Sequence, residues 1–235
     1  MRFGQALTSG TLLQRYKRFL ADVTLDDGRT VTAHCPNTGS MLGCAVAGSR
    51  VWLSPADGRN RKLRWTWELV ESAGVLVGIH TGRTNRIVRE AIETGLLREA
   101  AGYGRIRPEA KYGSEGSRVD FLLESDTAPP CYVEVKNVTA AVEHGIALFP
   151  DAVSARGAKH LREMRQMVRE GHRALLVFCV QREDVTEVRP ADAIDPKYGR
   201  ELRHALNAGV EAVAYRASVS PVEICLAQRL PVVCP

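Results

Sequence analysis

At Thr81 the pattern of apolar residues changes period, and few folds accommodate such a change within one chain of 235 residues. Ahead of it, turn chemistry cuts the sequence into short β segments. TLLQRYKRFLADVTL runs to the turn Asp26-Asp27-Gly28, and RTVTAHC, RVWLSPA, LRWTWELVE and VLVGIHT follow, separated by clusters of Gly, Pro, Asn and Asp. Beyond Thr81 helices and strands alternate. NRIVREAIETGLL repeats Ile87, Val88, Ala91 and Ile92 at helical spacing, with Thr84 placed to cap its start and Gly95 near its end. Three strands come next, YGRIRPEAKYG, SRVDFLLE and CYVEVKNVT. An amphipathic helix over Ser154–Glu170 and the apolar run ALLVFCV complete an order α, β, β, β, α, β. Asp195-Pro196 then reads as a cap and first turn for KYGRELRHALNAG, with VEAVAYRAS as a further strand.

Two domains are therefore expected. Residues 1–80 form a small all-β barrel of the size of an OB-fold, an architecture that binds oligonucleotides across one face. Residues 81–235 form an α/β (α+β) domain with a mixed sheet. Hydrophobic residues at 45% and charged residues at 25% are the balance of a packed globular protein. No apolar run approaches the roughly 20 residues that cross a bilayer, and MRFGQALTSG lacks the apolar core of a secretory signal, so a cytoplasmic protein without a membrane partner is expected. The six Cys form no C-x-x-C pair, and His34, Cys35 and Cys44 lack a fourth ligand at suitable spacing, which argues against zinc and disulfide frameworks.

The net charge of +5 is unevenly placed: residues 1–80 hold 10 Lys and Arg against 6 Asp and Glu, and the remainder 22 against 21. A basic front suits a polyanion, though it equally describes a solvated surface. Arg15, Lys17 and Arg18 interleave with Tyr16 and Phe19, a mixture suited to phosphates and stacked bases; a half-buried strand with one wet face is the competing reading. Trp65 and Trp67 share one side of their strand and read as core. PNTGS reads as a turn whose Asn37, Thr38 and Ser40 present polar groups at the barrel rim, where nucleic acid could pass.

The strongest chemical signal is charge inside strands. Asp120 sits in SRVDFLLE, and Glu134 and Lys136 share one face of CYVEVKN while Val133 and Val135 share the other. If the two runs pair across SDTAPP, Asp120 approaches Glu134, since opposite residues lie about 5 Å apart. Two carboxylates that close call for a cation, and hard oxygen ligands suit Mg2+ or Mn2+. A metal there with a lysine beside it implies phosphodiester hydrolysis.

The set D-x(n)-E-x-K on the second and third strands of an αβββαβ core resembles the PD-(D/E)xK nuclease superfamily, with Val119 standing where that motif has Pro. HCPNTGSM, YGSEGSRVDFLL, YVEVKNVT, FPDAVSARGAKHL, VQRED and DPKYGRELRHALNAGVEAVAY together resemble the sugar fermentation stimulation protein (SfsA) family. That resemblance implies an OB-like domain joined to a nuclease-like domain, DNA binding and a link to the regulation of sugar metabolism; with phosphate contacts dominant and no recognition helix evident, the DNA binding is expected to be largely sequence-independent. It carries Asp120, Glu134 and Lys136 over as the active-site triplet and makes Glu90 a candidate fourth acid. Either the site is a divalent-metal-dependent nuclease, or the protein is a DNA-binding transcriptional regulator with a vestigial pocket. A third reading is a site for a small phosphorylated metabolite. Arg118 and the YGSEGS loop could offer a guanidinium and free amides to a phosphate. Arg156, Lys159 and His160, near a helix start, could grip another. Gln181 could bond a ligated water or only end its strand.

Overall fold

The computed structural model describes residues 1–56, 61–142 and 145–235. Six strands make the front half: β1 (Thr8–Tyr16), β2 (Leu20–Leu25), β3 (Thr30–His34), β4 (Arg50–Pro55), β5 (Trp65–Ser72) and β6 (Val75–Gly78). Strands β1, β2, β3, β5 and β4 close into a five-stranded barrel: every pairing is antiparallel except β3 with β5, and β6 extends β5 beyond it. This is the expected OB-like barrel. Alternation decides what faces inward, so Ala21, Val23 and Leu25 of β2 are buried in the barrel core with Leu12, Leu53 and Trp67. Trp65 packs against that core from the side.

TLLQRYKRFLADVTL is two strands, not one. The chain reverses between Tyr16 and Leu20, which pair across the hairpin, and Lys17 and Arg18 take positive φ of 50° and 65° there. Neither residue signals a turn, because a left-handed conformation with a Cβ costs roughly 1–2 kcal/mol per residue. The Arg15 guanidinium offsets part of that by bonding the Arg18 carbonyl at 2.9 Å.

The back half is one mixed sheet in the order β15-β14-β12-β9-β8-β7. Its strands are β7 (Arg105–Tyr112), β8 (Ser117–Glu124), β9 (Cys131–Val138), β12 (Arg173–Val180), β14 (Glu211–Val219) and β15 (Ile224–Leu230). Helix α1 (Thr84–Glu93) packs on one face, where Ile87 and Val88 meet Val133, Val135 and Val177. Helices α2 (Ala155–Arg169) and α3 (Pro196–Asn207) pack on the other, around Leu161, Leu176 and Leu202. The expected αβββαβ order is present. Short strands β10 (Ala141–Val142), β11 (Ile146–Phe149) and β13 (Glu187–Pro190) form a small third sheet.

Caps behaved as their chemistry dictates at two helices. Ser154 and Asp195 accept from Gly157 N and Tyr198 N, so α2 and α3 begin where the sequence places them. Thr84 does not cap α1. The cap position is Arg83, and the Thr84 hydroxyl is committed to Asn137 instead.

The halves share a polar seam. Gly78 N donates to the carbonyl of fully buried Gln181, and the Gln181 side-chain amide donates to Thr84 Oγ1 and Asn137 Oδ1. Buried Glu68 of the barrel accepts from Ser54 Oγ and from Arg83, each at 2.7 Å. No helix among the described residues is long and apolar enough to cross a membrane.

Candidate metal centre in the cleft between barrel and sheet

A cleft of about 480 Å³ opens where the barrel meets the ends of β8 and β9. Its floor carries Asp120 and Lys136; Asn37, Thr38 and Gly39 line it from the barrel and Leu148 and Phe149 from β11. Registered pairing between β8 and β9 runs from Leu123↔Cys131 to Phe121↔Val133, which sets Asp120 opposite Glu134 as the alternation requires. The ladder stops there, and the Asp120 carboxylate takes over its work: Oδ2 accepts from Val135 N at 2.7 Å and Oδ1 from Asn85 Nδ2 of α1 at 2.8 Å.

Glu134 is 3% exposed. Its Oε1 accepts from Lys136 Nζ at 2.7 Å and from His160 Nδ1 of α2. Its Oε2 is buried with no protein partner. Burial works to raise the Glu134 carboxyl, but the Lys136 ammonium and the His160 hydrogen bond prevail and hold it below its ordinary range. Asp120 moves the other way, raised by burial and then by the charge of Glu134. Burial thus weighs most on Asp120, with the Glu134 charge second, while Glu134 is itself met by Lys136 and His160.

Other expected site residues are drawn elsewhere. Glu90 pairs with the Met1 ammonium at 2.5 Å and with Arg86 at 3.5 Å, and does not line the cleft. The YGSEGS amides are not free: Ser114 N and Glu115 N donate to the carboxylate of buried Glu163, so an internal anion fills the loop. Arg118 donates to the Glu109 carbonyl and does not line the cleft. Lys159 donates to the Glu115 carbonyl, and His160 turns inward onto Glu134. Of that basic trio only Arg156 lines the cleft, with Nε 3.4 Å from His160 Nε2. A proton on His160 Nδ1 serves the Glu134 carboxylate, and Nε2 faces the Arg156 N–H.

In the barrel, Arg15 is a structural tie. It donates to the carbonyls of Asn37 and Gly39, both at 2.9 Å. Asn37 Oδ1 accepts from Gly39 N, and Ser40 Oγ donates to the Asp151 carbonyl at 2.7 Å, so of these three expected rim residues exposed Thr38 alone keeps an uncommitted side chain in the cleft lining. Lys17 and Arg18 are exposed at the hairpin tip. Gln181 does not itself line the cleft; its side-chain amide holds Thr84 and Asn137, two residues of the lining. Cys35 and Cys44 are buried thiols, and among the described residues no cluster of three or more His, Cys, Asp or Glu is arranged to hold a metal. The sequence reading missed Asn85 and the inward role of His160, because neither residue type nor spacing marks a partner on another element.

A closed five-stranded barrel seated on a mixed sheet, with Asp120 facing buried Glu134 and Lys136 beside them, defines an OB-like barrel joined to a mixed α/β domain. The chain belongs to the sugar fermentation stimulation protein (SfsA) family: the model of the "Sugar fermentation stimulation protein RE domain" matches residues 82–223, and that of the "SfsA N-terminal OB domain" matches residues 13–79. A sugar fermentation stimulation protein homolog of Thioalkalivibrio sulfidiphilus is 61% identical over 99% of this chain and 98% of its own. One of Geobacter sulfurreducens is 61% identical over 96% of each. Among solved structures, Pyrococcus furiosus SfsA, in complex with Ca2+, superposes with a TM-score of 0.89 at 30% identity, covering 99% of this chain and 98% of that one.

Proposed function

We propose that this protein binds DNA through phosphate contacts and cleaves phosphodiester bonds with a divalent cation, Mg2+ or Mn2+, held by Asp120 and Glu134. The observation that carries the reading is Glu134 Oε2, a buried carboxylate oxygen with no partner, opposite a second carboxylate at the floor of an open cleft. Hard oxygen donors of that kind fit a hard cation. The Ca2+ complex of the Pyrococcus relative supports the same chemistry at this fold. When bound, the ion supplies Lewis-acid polarisation of a phosphoryl oxygen and a water of lowered pKa. The chain's own residues do the rest. Lys136 offsets charge that develops on the phosphate, His160 fixes the Glu134 carboxylate, Arg156 offers a cation to the incoming backbone, and the cleft walls orient it.

One observation favours a second reading, a DNA-binding regulator with an idle pocket: Lys136 and His160 already meet Glu134, so the site can stand without a cation. Incubating purified protein and varied DNA with Mn2+, Mg2+ or EDTA separates the two. Cleavage with either metal and none with EDTA is expected; no cleavage under any condition favours the regulator.

Titration calorimetry with Mn2+ is expected to give weak but measurable heat, since two carboxylates leave most coordination positions to water. Asp120→Asn keeps an oxygen for Val135 N and so should fold, yet lose that heat. Equal heats for the two proteins would remove the metal assignment. Glu90→Gln is expected to leave both the heat and any cleavage unchanged, because its carboxylate serves Met1 and Arg86. A loss in that variant would restore Glu90 to the site.

A further inference from the structure

The wall of the cleft on the barrel side is pinned from both domains. Thr81 Oγ1 donates to the Pro36 carbonyl at 2.7 Å, Arg15 holds the carbonyls of Asn37 and Gly39, and Met41 N donates to Asp151 Oδ2 at 3.0 Å. Gly39 lies so close to Asp151 that a Cβ would come within 2.6 Å of its carboxylate. Swinging this wall aside would break those bonds together. What remains open is a cleft of about 480 Å³, within the 300–1,000 Å³ typical of pockets that enclose small ligands. That is room for a few nucleotides of one strand.

Outside the wall the surface changes character in a way that suits the same ligand. The Phe19 carbonyl accepts from Cys35 N at 2.8 Å, directly ahead of Pro36, and Arg15 bonds both Arg18 and the wall, so the β1–β2 hairpin tip stands against it. Lys17 and Arg18, both at positive φ, are exposed and directly precede Phe19, whose side chain is 47% exposed. Phe19 is not among the side chains that pack against the barrel core. Two exposed cations and such a ring are the combination that stacks an unpaired base while neutralising its phosphates.

From this we infer that the cleft takes a single strand of DNA, which leaves it over residues 36–41 and stacks on Phe19 at the hairpin tip. The inference rests on the proposed reading of the cleft as a phosphodiester site and names its substrate class. Fluorescence anisotropy on the full chain with Ca2+ present, using labelled oligothymidylate and a blunt duplex of the same length, tests it. The strand is expected to bind at least about fivefold more tightly than the duplex, the ratio that one stacked base supplies. Phe19→Ala is expected to erase about that factor for the strand and leave duplex binding unchanged, while Phe19→Tyr retains it. A duplex bound as tightly as the strand, or strand binding indifferent to Phe19→Ala, overturns the inference. Failure of the catalytic reading looks different: no metal cleaves any substrate, while the binding comparison still decides between strand and duplex.

Discussion

Lys136→Ala is expected to bind DNA nearly as well as the wild type while metal-dependent cleavage falls by about 100-fold or more. The ammonium lies 2.7 Å from Glu134 Oε1 and is largely buried, so it adds little to the field that draws DNA to the surface. It acts on charge that exists only as the bond breaks, and interactions confined to the transition state appear in turnover and not in affinity. Glu134→Gln should lose cleavage as fully, yet bind DNA more tightly without metal, because it leaves the Lys136 ammonium, which lines the cleft, without its counter-charge. A regulator with an idle pocket would show no metal-dependent nicking in the wild type and only a small loss of affinity in Lys136→Ala. Nicking that survives both substitutions would mark a contaminating nuclease and leave the site without support.

Gly113→Ala is expected to lower stability by about 3 kcal/mol or more. Gly113 has φ of +67°, and a Cβ there would lie 1.1 Å from Glu163 Oε2. The substitution strains the backbone and also drives the carboxylate off the Ser114 and Glu115 amides, which are charge-assisted hydrogen bonds inside the fold. Gly116→Ala is the control. Its φ is also +67°, but nothing lies within 4 Å of the added carbon, so only the backbone term of about 1 kcal/mol applies. Urea unfolding followed by tryptophan fluorescence reads both, and equal losses would show that Glu163 does not need the loop.

What the sequence disclosed about this fold was whatever depends on local period and on residues with one conformational use. Strands β8 and β9, helices α2 and α3, and their Ser154 and Asp195 caps follow from alternation, helical spacing and cap chemistry. The hairpin at Lys17 and Arg18 was hidden because its reversal uses residues that carry no turn preference. Strands β10, β11 and β13 were too short to show a period, and β15 exposes most of its middle. The candidate site divides along the same line. Asp120, Glu134 and Lys136 were legible because a period of two and one hairpin suffice to bring them together. The partners that decide what other polar residues do come from distant elements: Met1 claims Glu90, Glu163 fills the YGSEGS amides, and Glu134 turns His160 inward. No spacing rule encodes such pairings, so each group had a plausible ligand-binding role that a partner within the chain already takes.

The bond from Val135 N to Asp120 bears on how the proposed cleavage could be traced among relatives. Where β8 and β9 part, the carboxylate supplies the acceptor that a neighbouring strand would otherwise provide, and an amide left dry there would cost about 1–3 kcal/mol. Asp120 thus has a structural use apart from any reaction. A lineage that abandoned cleavage would still be held to an acceptor at this position, and its aspartate would outlive the reaction. The informative position for telling active relatives from inactive ones is Lys136: no backbone group bonds its ammonium among the described contacts, so nothing in the sheet's own accounting preserves it.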